Sequence, residues 1–319
     1  MRLNSKHITL LLLAALIAIS PFFFPSGYYY RIGALIFVNG LAVTGIVILT
    51  GYAGQISLGH AGFAGIGAYA CALAPVHLGI HPGLAVVLGA VLSAALAWLV
   101  GRPILRLKGY YLGVASLGMG ILISMVLTNE RWLTKGPDGI EVPELGLRAF
   151  LKDMGLNLSN GEFWYGFSGI CLLIGAWLAL NLYSSPTGRA LRALHGSEIA
   201  ARTIGIDVPR AKLQAFVISS VFASVSGSLL ALQNKFVSPD VAGYMHSIEM
   251  VTMAVLGGVG SVLGAILGAG ILTLLPQALT VFAEYEQLML GLVMIVVMIF
   301  MPQGLLPSIL RKFRAGKRE

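Results

Sequence analysis

Apolar runs long enough to cross a bilayer recur along almost the whole chain, separated by short polar segments. About eighteen consecutive apolar residues mark a transmembrane helix. Spans are predicted at 8–24, 32–50, 58–76, 83–101, 110–128, 163–183, 211–232, 248–263, 264–283 and 287–303. The third, eighth and ninth are short or interrupted by glycine. The expected fold class is an all-α polytopic membrane protein of about ten helices, with 1–319 as one transmembrane domain. Eight spans result if two of the broken segments are re-entrant. Aromatic clusters fall where interfacial residues belong: Tyr28, Tyr29 and Tyr30 precede the second span, Tyr110 and Tyr111 begin the fifth, and Phe163, Trp164 and Tyr165 begin the sixth.

Two stretches break the pattern. Residues 50–70 read TGYAGQISLGHAGFAGIGAYA, and 256–270 read LGGVGSVLGAILGAG. Each glycine costs a helix interior about 1 kcal/mol relative to alanine, and irregular backbone survives in lipid only where protein or a water-filled cavity satisfies it. Either stretch could be a close-packing seam or part of a path across the membrane. With five spans per half, the halves would start on opposite sides, as in an inverted repeat. Glycine-interrupted segments at matching places in two such halves point to a translocation site. The pathway or gate residues expected on this ground are Gly51, Gly54, Gln55, Ser57 and His60 in the first stretch, and Gly257, Gly258, Gly260 and Ser261 in the second. His60 could instead bond a freed carbonyl in a structural role.

Charge sets the orientation. The chain is 57% hydrophobic and only 11% charged, with a formal net charge of +8. The basic residues sit in short loops, so they read as orientation signals rather than a nucleic-acid surface. With the N-terminus inside, 15 of the 21 Lys and Arg residues fall on the cytoplasmic side, and most acidic residues fall outside. An even number of spans with both termini cytoplasmic fits this count. Arg2, Lys6 and the apolar run after them resemble a signal peptide, but Pro21 and Phe22-Phe23-Phe24 stand where a small-residue cleavage site is needed, so a retained first span is expected.

Two loops are long. The outer one, 129–162, carries the turn Lys135-Gly136-Pro137-Asp138-Gly139. The inner one, 184–210, is expected to hold a short amphipathic helix, with Ser197 as N-cap and Gly205 as its stop.

Chemistry is sparse. There is no P-loop and no His-Glu-x-x-His pattern, the spans hold almost no acidic residue, and Cys71 and Cys171 read as buried small side chains. No metal, cofactor or catalytic constellation is expected. An ion-coupled carrier would place ionisable residues within its spans, so the driving energy has to come from elsewhere. A channel or carrier working alone remains the alternative class.

Residues 50–61 (TGYAGQISLGHA), 185–193 (SPTGRALRA), Ala200-Ala201 through Gly205-Ile206, and Leu256-Gly257-Gly258-Val259-Gly260-Ser261 together resemble the permease subunits of branched-chain amino acid ABC importers, of the LivM type. The resemblance implies a bacterial inner-membrane protein that pairs with a second, homologous permease. It also implies two cytoplasmic ATP-binding subunits, which use the ATP, and an extracytoplasmic solute-binding protein. Glu198, Ala200, Ala201, Arg202 and Gly205 look like the element that couples such a permease to its ATPases. The sequence departs from the family at Tyr110 and Leu122, where acidic residues are frequent, and at Thr134-Lys135-Gly136, where Thr-Gly-Gly is usual. These departures bear on the substrate: relatives also carry urea, short amides and aromatic acids.

Overall fold

The computed structural model describes residues 5–155 and 157–278, residues 304–308, and six isolated positions between 288 and 299. Apart from those six positions the tenth expected span lies outside the described residues, as do the end of the ninth and the basic C-terminal tail.

α1 (Ser5–Ile19) runs into a 3-10 turn at Ser20–Phe23, where Pro21 and the phenylalanines stand. α2 (Gly27–Ile46) continues as a π-helical turn to Tyr52. After an extended stretch come α3 (His60–Leu78), α4 (Pro82–Ile104) and α5 (Tyr110–Asn129). The 129–162 loop holds α6 (Arg131–Thr134), β1 (Ile140–Glu141) and α7 (Leu147–Asp153). α8 (Asn160–Ser184) opens with a capping box, in which Ser159 Oγ accepts from Glu162 N and Glu162 Oε2 accepts from Ser159 N. α9 (Pro186–Gly196) and α10 (Glu198–Thr203) fill the 184–210 loop. α11 (Val208–Asn234), β2 (Phe236–Val237), α12 (Tyr244–Gly257) and α13 (Val262–Ala278) complete the described chain. The fold is all-α apart from the two-residue antiparallel pairing of β1 with β2, Ile140 opposite Val237. Lys235 ion-pairs with Glu144 beside this pairing and holds the Glu144 carboxyl below its ordinary pKa.

Six helices among the described residues are long and apolar enough to cross a membrane: Gly27–Tyr52, His60–Leu78, Pro82–Ile104, Tyr110–Asn129, Asn160–Ser184 and Val208–Asn234. They fall on six of the ten expected spans. α12, at 14 residues, is about 21 Å long, short of the roughly 30 Å hydrocarbon layer. The expected span at 248–263 is therefore not one crossing. The helix starts earlier and ends at Gly257, and the break falls at Gly258–Ser261. The third span departs from expectation in the other direction. Despite Gly62, Gly65 and Gly67, it is an unbroken helix from His60, and only 53–59 is irregular.

Those glycines are in helix because tertiary packing offsets their poor propensity. α3 and α11 cross backbone to backbone. A Cβ on Gly67 would lie 2.0 Å from the Ser224 carbonyl oxygen, and one on Gly227 would lie 2.0 Å from the Ala64 carbonyl oxygen. Each helix thus meets the other's carbonyl through a glycine, the small-residue packing that holds helices together where lipid is as apolar as the core. Phe37, Leu41, Phe222 and Leu172 fill the space between α2, α8 and α11, and Phe216 packs on the other side of α11 against Phe63 of α3. Side-chain hydrogen bonds add register: Ser226 Oγ donates to the Val38 carbonyl at 2.8 Å, and Asn39 Nδ2 donates to Thr273 Oγ1 at 3.0 Å.

Gly227→Ala should lower the stability of the detergent-purified protein by about 1–3 kcal/mol, the usual cost of overpacking. Gly166→Ala on α8, where the added methyl meets nothing within 4 Å, should be neutral or stabilising. Thermal unfolding of both variants checks this, and equal melting temperatures would refute the backbone-contact account.

Candidate functional site

The two glycine-rich stretches meet. α2 ends in the π-helical turn Val47–Tyr52, a departure from the α-helix often found at functional sites. The turn closes with Gly54 N donating to the Thr50 carbonyl at 3.1 Å and Gln55 N to the Leu49 carbonyl at 3.1 Å. Gly54 adopts φ +66°, a left-handed conformation that favours glycine. At the far end of the chain, Gly258 (φ +108°) turns α12 into α13, and Ser261 Oγ accepts from Gly264 N to start α13. Gly51 seats this second turn: a Cβ on it would lie 1.8 Å from the Val259 carbonyl oxygen.

Between the π-helical turn and α3 the chain is extended, and side chains satisfy its backbone. Leu58 N donates to Ser116 Oγ at 3.0 Å. Ala61 N, an unpaired donor in the first turn of α3, donates to Ser247 Oγ on α12 at 3.0 Å. A Cβ on Gly65 would lie 2.5 Å from Ala242 Cβ, just before α12. The first turns of α3 and α12 therefore face each other. His60 lies beside Ser219, near the middle of the 27-residue α11. From there α3 runs toward the β1–β2 end, where Tyr69 and Ala72 pack with Leu232 and Val237. α12 runs the other way, to the turn at Gly51.

The expected pathway residues divide accordingly. His60 is buried, with Nε2 2.6 Å from Ser219 Oγ and its ring edge-on to Phe63 and Phe216. Nδ1 has no partner among the described residues. Gln55 is buried and donates to the Ala53 carbonyl at 3.1 Å, and Ser57 is buried as well. Gly257 belongs to packing, since a Cβ there would strike the Gly264 carbonyl of α13 at 1.8 Å. Gly54 and Gly260 are exposed. Gly51 against Val259 brings the two stretches together as a joint between helices.

The inner loop carries one helix more than the sequence reading found. Ser185, followed by Pro186, caps α9 by accepting from Gly188 N at 3.1 Å. Leu191 and Leu194 are buried beneath the helix, while Arg189, Arg192 and His195 face out. Its Ser-Pro start and its leucine spacing were the signals that could have revealed it. α9 reaches the joint directly: a Cβ on Gly54 would lie 3.3 Å from His195 Cγ, and Arg192 sits 4.0 Å over the Tyr183 ring, which packs against Tyr52.

α10 has the expected cap and stop. Ser197 Oγ accepts from Ala200 N at 3.3 Å, and Gly205 ends the turn at φ +84°. Glu198 ion-pairs with Lys212, whose side chain is 4% exposed, and lies 3.8 Å from Lys108. This anchors α10 to α11 through Ala201 and the ion pair. Ala200 and Arg202 face outward, and Ile199 (78% exposed) and Ile204 (71% exposed) form an uncovered apolar surface. Among the described residues no three His, Cys, Asp or Glu side chains come together as a metal site.

These features define a membrane-embedded helical bundle with two internal breaks in contact and a rigid helical element docked beside them. Residues 29–298 match the family model described as the permease component of the branched-chain amino acid transport system. The chain belongs to that family. It is 35% identical over 281 residues to the high-affinity branched-chain amino acid transport system permease protein LivM of Salmonella typhimurium LT2. It is also 35% identical over 281 residues to its counterpart in Escherichia coli K12. Each match covers 82% of this chain and 66% of the relative, so the chain spans just under two thirds of their length. It is 29% identical over 283 residues to the LivH permease protein of the same transport system in E. coli K12, covering 83% of this chain and 90% of that one. No solved structure matches.

Ser219→Ala should leave both His60 ring nitrogens unpaired and cost about 1–3 kcal/mol. The readout is a lowered melting temperature of the purified protein. An unchanged value would mean that the imidazole finds another partner.

Proposed function

We propose that the chain is a membrane-spanning subunit of an ATP-driven importer for branched-chain amino acids or similar small polar solutes in a bacterial inner membrane. The observation that carries this reading is the pairing of α10, with its bare Ile199 and Ile204, and α9, whose His195 abuts Gly54 at the joint. A cytoplasmic ATP-binding subunit seated on α10 would push on α9, and α9 on the end of α2. Short, rigid elements transmit closure as rigid-body motion. Glu198, Ala200, Ala201, Arg202 and Gly205 form the coupling element in this scheme. Glu198 and Ala201 anchor it, Arg202 and the isoleucines meet the partner, and Gly205 shapes the return to α11.

The joint is the moving part. Gly51, Gly54, Gln55, Ser57 and His60 on one side, and Gly257, Gly258, Gly260 and Ser261 on the other, form the gate. The close backbone contact of Gly51 with Val259 would let the two turns slide or separate. A 5+5 inverted repeat is supported by α2, the extended 53–59 and α3 mirroring α11, residues 235–243 and α12: each time a long helix is followed by irregular chain and a helix that starts at mid-bundle. A second permease of the same family would complete the pore. The 129–162 loop, at the opposite end from α10, would receive an extracytoplasmic solute-binding protein. Both termini would be cytoplasmic, and the chain binds no cofactor of its own.

In a reconstituted complex of the chain with its sister permease, ATP-binding subunits and binding protein, Gly205→Val should lower uptake about tenfold, equivalent to 1–2 kcal/mol of coupling. ATP hydrolysis should then no longer respond to loaded binding protein. Gly54→Val should abolish uptake while the ATP-binding subunits remain associated. Normal transport by either variant would remove that residue from the mechanism. Solute flux through this chain alone, without ATP-binding subunits, would instead make it a channel or carrier.

A further inference from the structure

Beside α10 the structure has a cavity of about 510 Å³ between the end of α4, the 105–109 link and the start of α11. Six cations line it: Arg102, Arg106, Lys108, Arg202, Arg210 and Lys212. Glu198 answers Lys212 and Lys108, and Asp207 holds Arg210 at 2.9 Å. Arg102, Arg106 and Arg202 have no carboxylate partner among the described residues. Charges that only orient a span need no common cavity, and three uncompensated guanidinium groups around one space repel each other unless an anion joins them.

The approach to the cavity is apolar. Leu84, Val87, Val91 and Trp98 recur on α4 at helical spacing and are all exposed, so one stripe runs along the helix toward the cavity. It ends in Arg102, one turn beyond Trp98, with its guanidinium carbon 3.7 Å from the Trp98 ring centroid. Tryptophan with a neighbouring arginine marks the interface between hydrocarbon and headgroups.

We propose that this cavity binds the phosphodiester headgroup of an anionic phospholipid, with its acyl chains along the outer stripe of α4. Arg102 and Arg106 hold the phosphate, and guanidinium groups suit phosphate oxygens because they present paired donors. The lipid would brace the face of α10 that Glu198 and Lys212 anchor. The site depends on the chain being embedded in a bilayer, not on which solute it carries.

The test uses the purified full chain, titrated with phosphatidylglycerol or phosphatidylcholine and read by native mass spectrometry. The wild-type protein should retain phosphatidylglycerol in preference to phosphatidylcholine. The double variant Arg102→Gln/Arg106→Gln should bind phosphatidylglycerol about thirtyfold more weakly, the factor expected from removing two charges beside an anionic headgroup, with phosphatidylcholine unaffected. Arg102→Lys/Arg106→Lys should keep most of the binding. Hydrogen exchange of the wild-type protein gives a readout free of any folding defect: phosphatidylglycerol, and not phosphatidylcholine, should slow exchange over 102–109 and 198–212. Equal binding of both lipids, undiminished binding by the glutamine variant, or unchanged exchange would overturn the proposal. So would displacement of the lipid by millimolar inorganic phosphate, which would make this a free-anion site. Protection of the same segments by an ATP-binding subunit, with no lipid preference, would assign the surface to a protein.

Discussion

Inside a bilayer every backbone N–H and C=O has to find its partner within the protein, and the rest of this structure follows from how that requirement is met at 53–59. A seven-residue stretch without helix cannot leave its amides to lipid, so other helices supply partners for it, while Gly54 and Ile56 stay exposed. Ser116 accepts one of its backbone bonds, from Leu58 N, and Ser247 accepts one from Ala61 N in the helix start beside it. α11 closes over His60 through Ser219. The serines lie on three different helices. The bundle packs tightly around this point because a looser one would leave amide groups bare in a medium with no water to offer.

Glycine is the means of that closeness, and its two uses differ. In α3 and α11 it removes side chains so that carbonyls can approach, and the helices stay regular. At Gly54 and Gly258 it allows backbone that other residues resist, and the helices end. Composition alone does not separate the two uses, because both appear as a run of small residues. This is why 50–70 looks broken throughout, while only 53–59 is irregular. The distinguishing signal is weak: Gly62 and the glycines after it are set among alanine and aromatic residues at helical spacing, whereas Gly54 and Gly59 flank Gln55 and Ser57.

Long uninterrupted apolar runs were legible, since length and hydropathy decide them without reference to neighbours. The six long helices fall where the pattern put them. The cap at Ser197 and the stop at Gly205 were legible as well, because capping is local chemistry. Contacts between distant segments were not: Gly51 beneath Val259, Gly54 against His195, and Lys212 with Glu198 each join residues that no periodicity connects. The shortness of α12 was hidden for the same reason. Its apolar run continues through the turn into α13, and the packing of Gly257 on Gly264 and of Gly268 on Met253 shows that the chain doubles back.

The partners of the irregular segment are also far away in time. Ser219 follows His60 by 159 residues, and Ser247 follows Ala61 by 186. At ordinary synthesis rates of about 5–20 residues per second, the start of α3 waits roughly 10–40 s in the membrane before its last hydrogen-bond acceptor is made. During that interval the nascent segment has to be sheltered by water, by the insertion machinery or by lipid headgroups. Its assembly therefore cannot proceed strictly from first helix to last, and the first half of the chain is an unfinished object until α11 and α12 have been inserted.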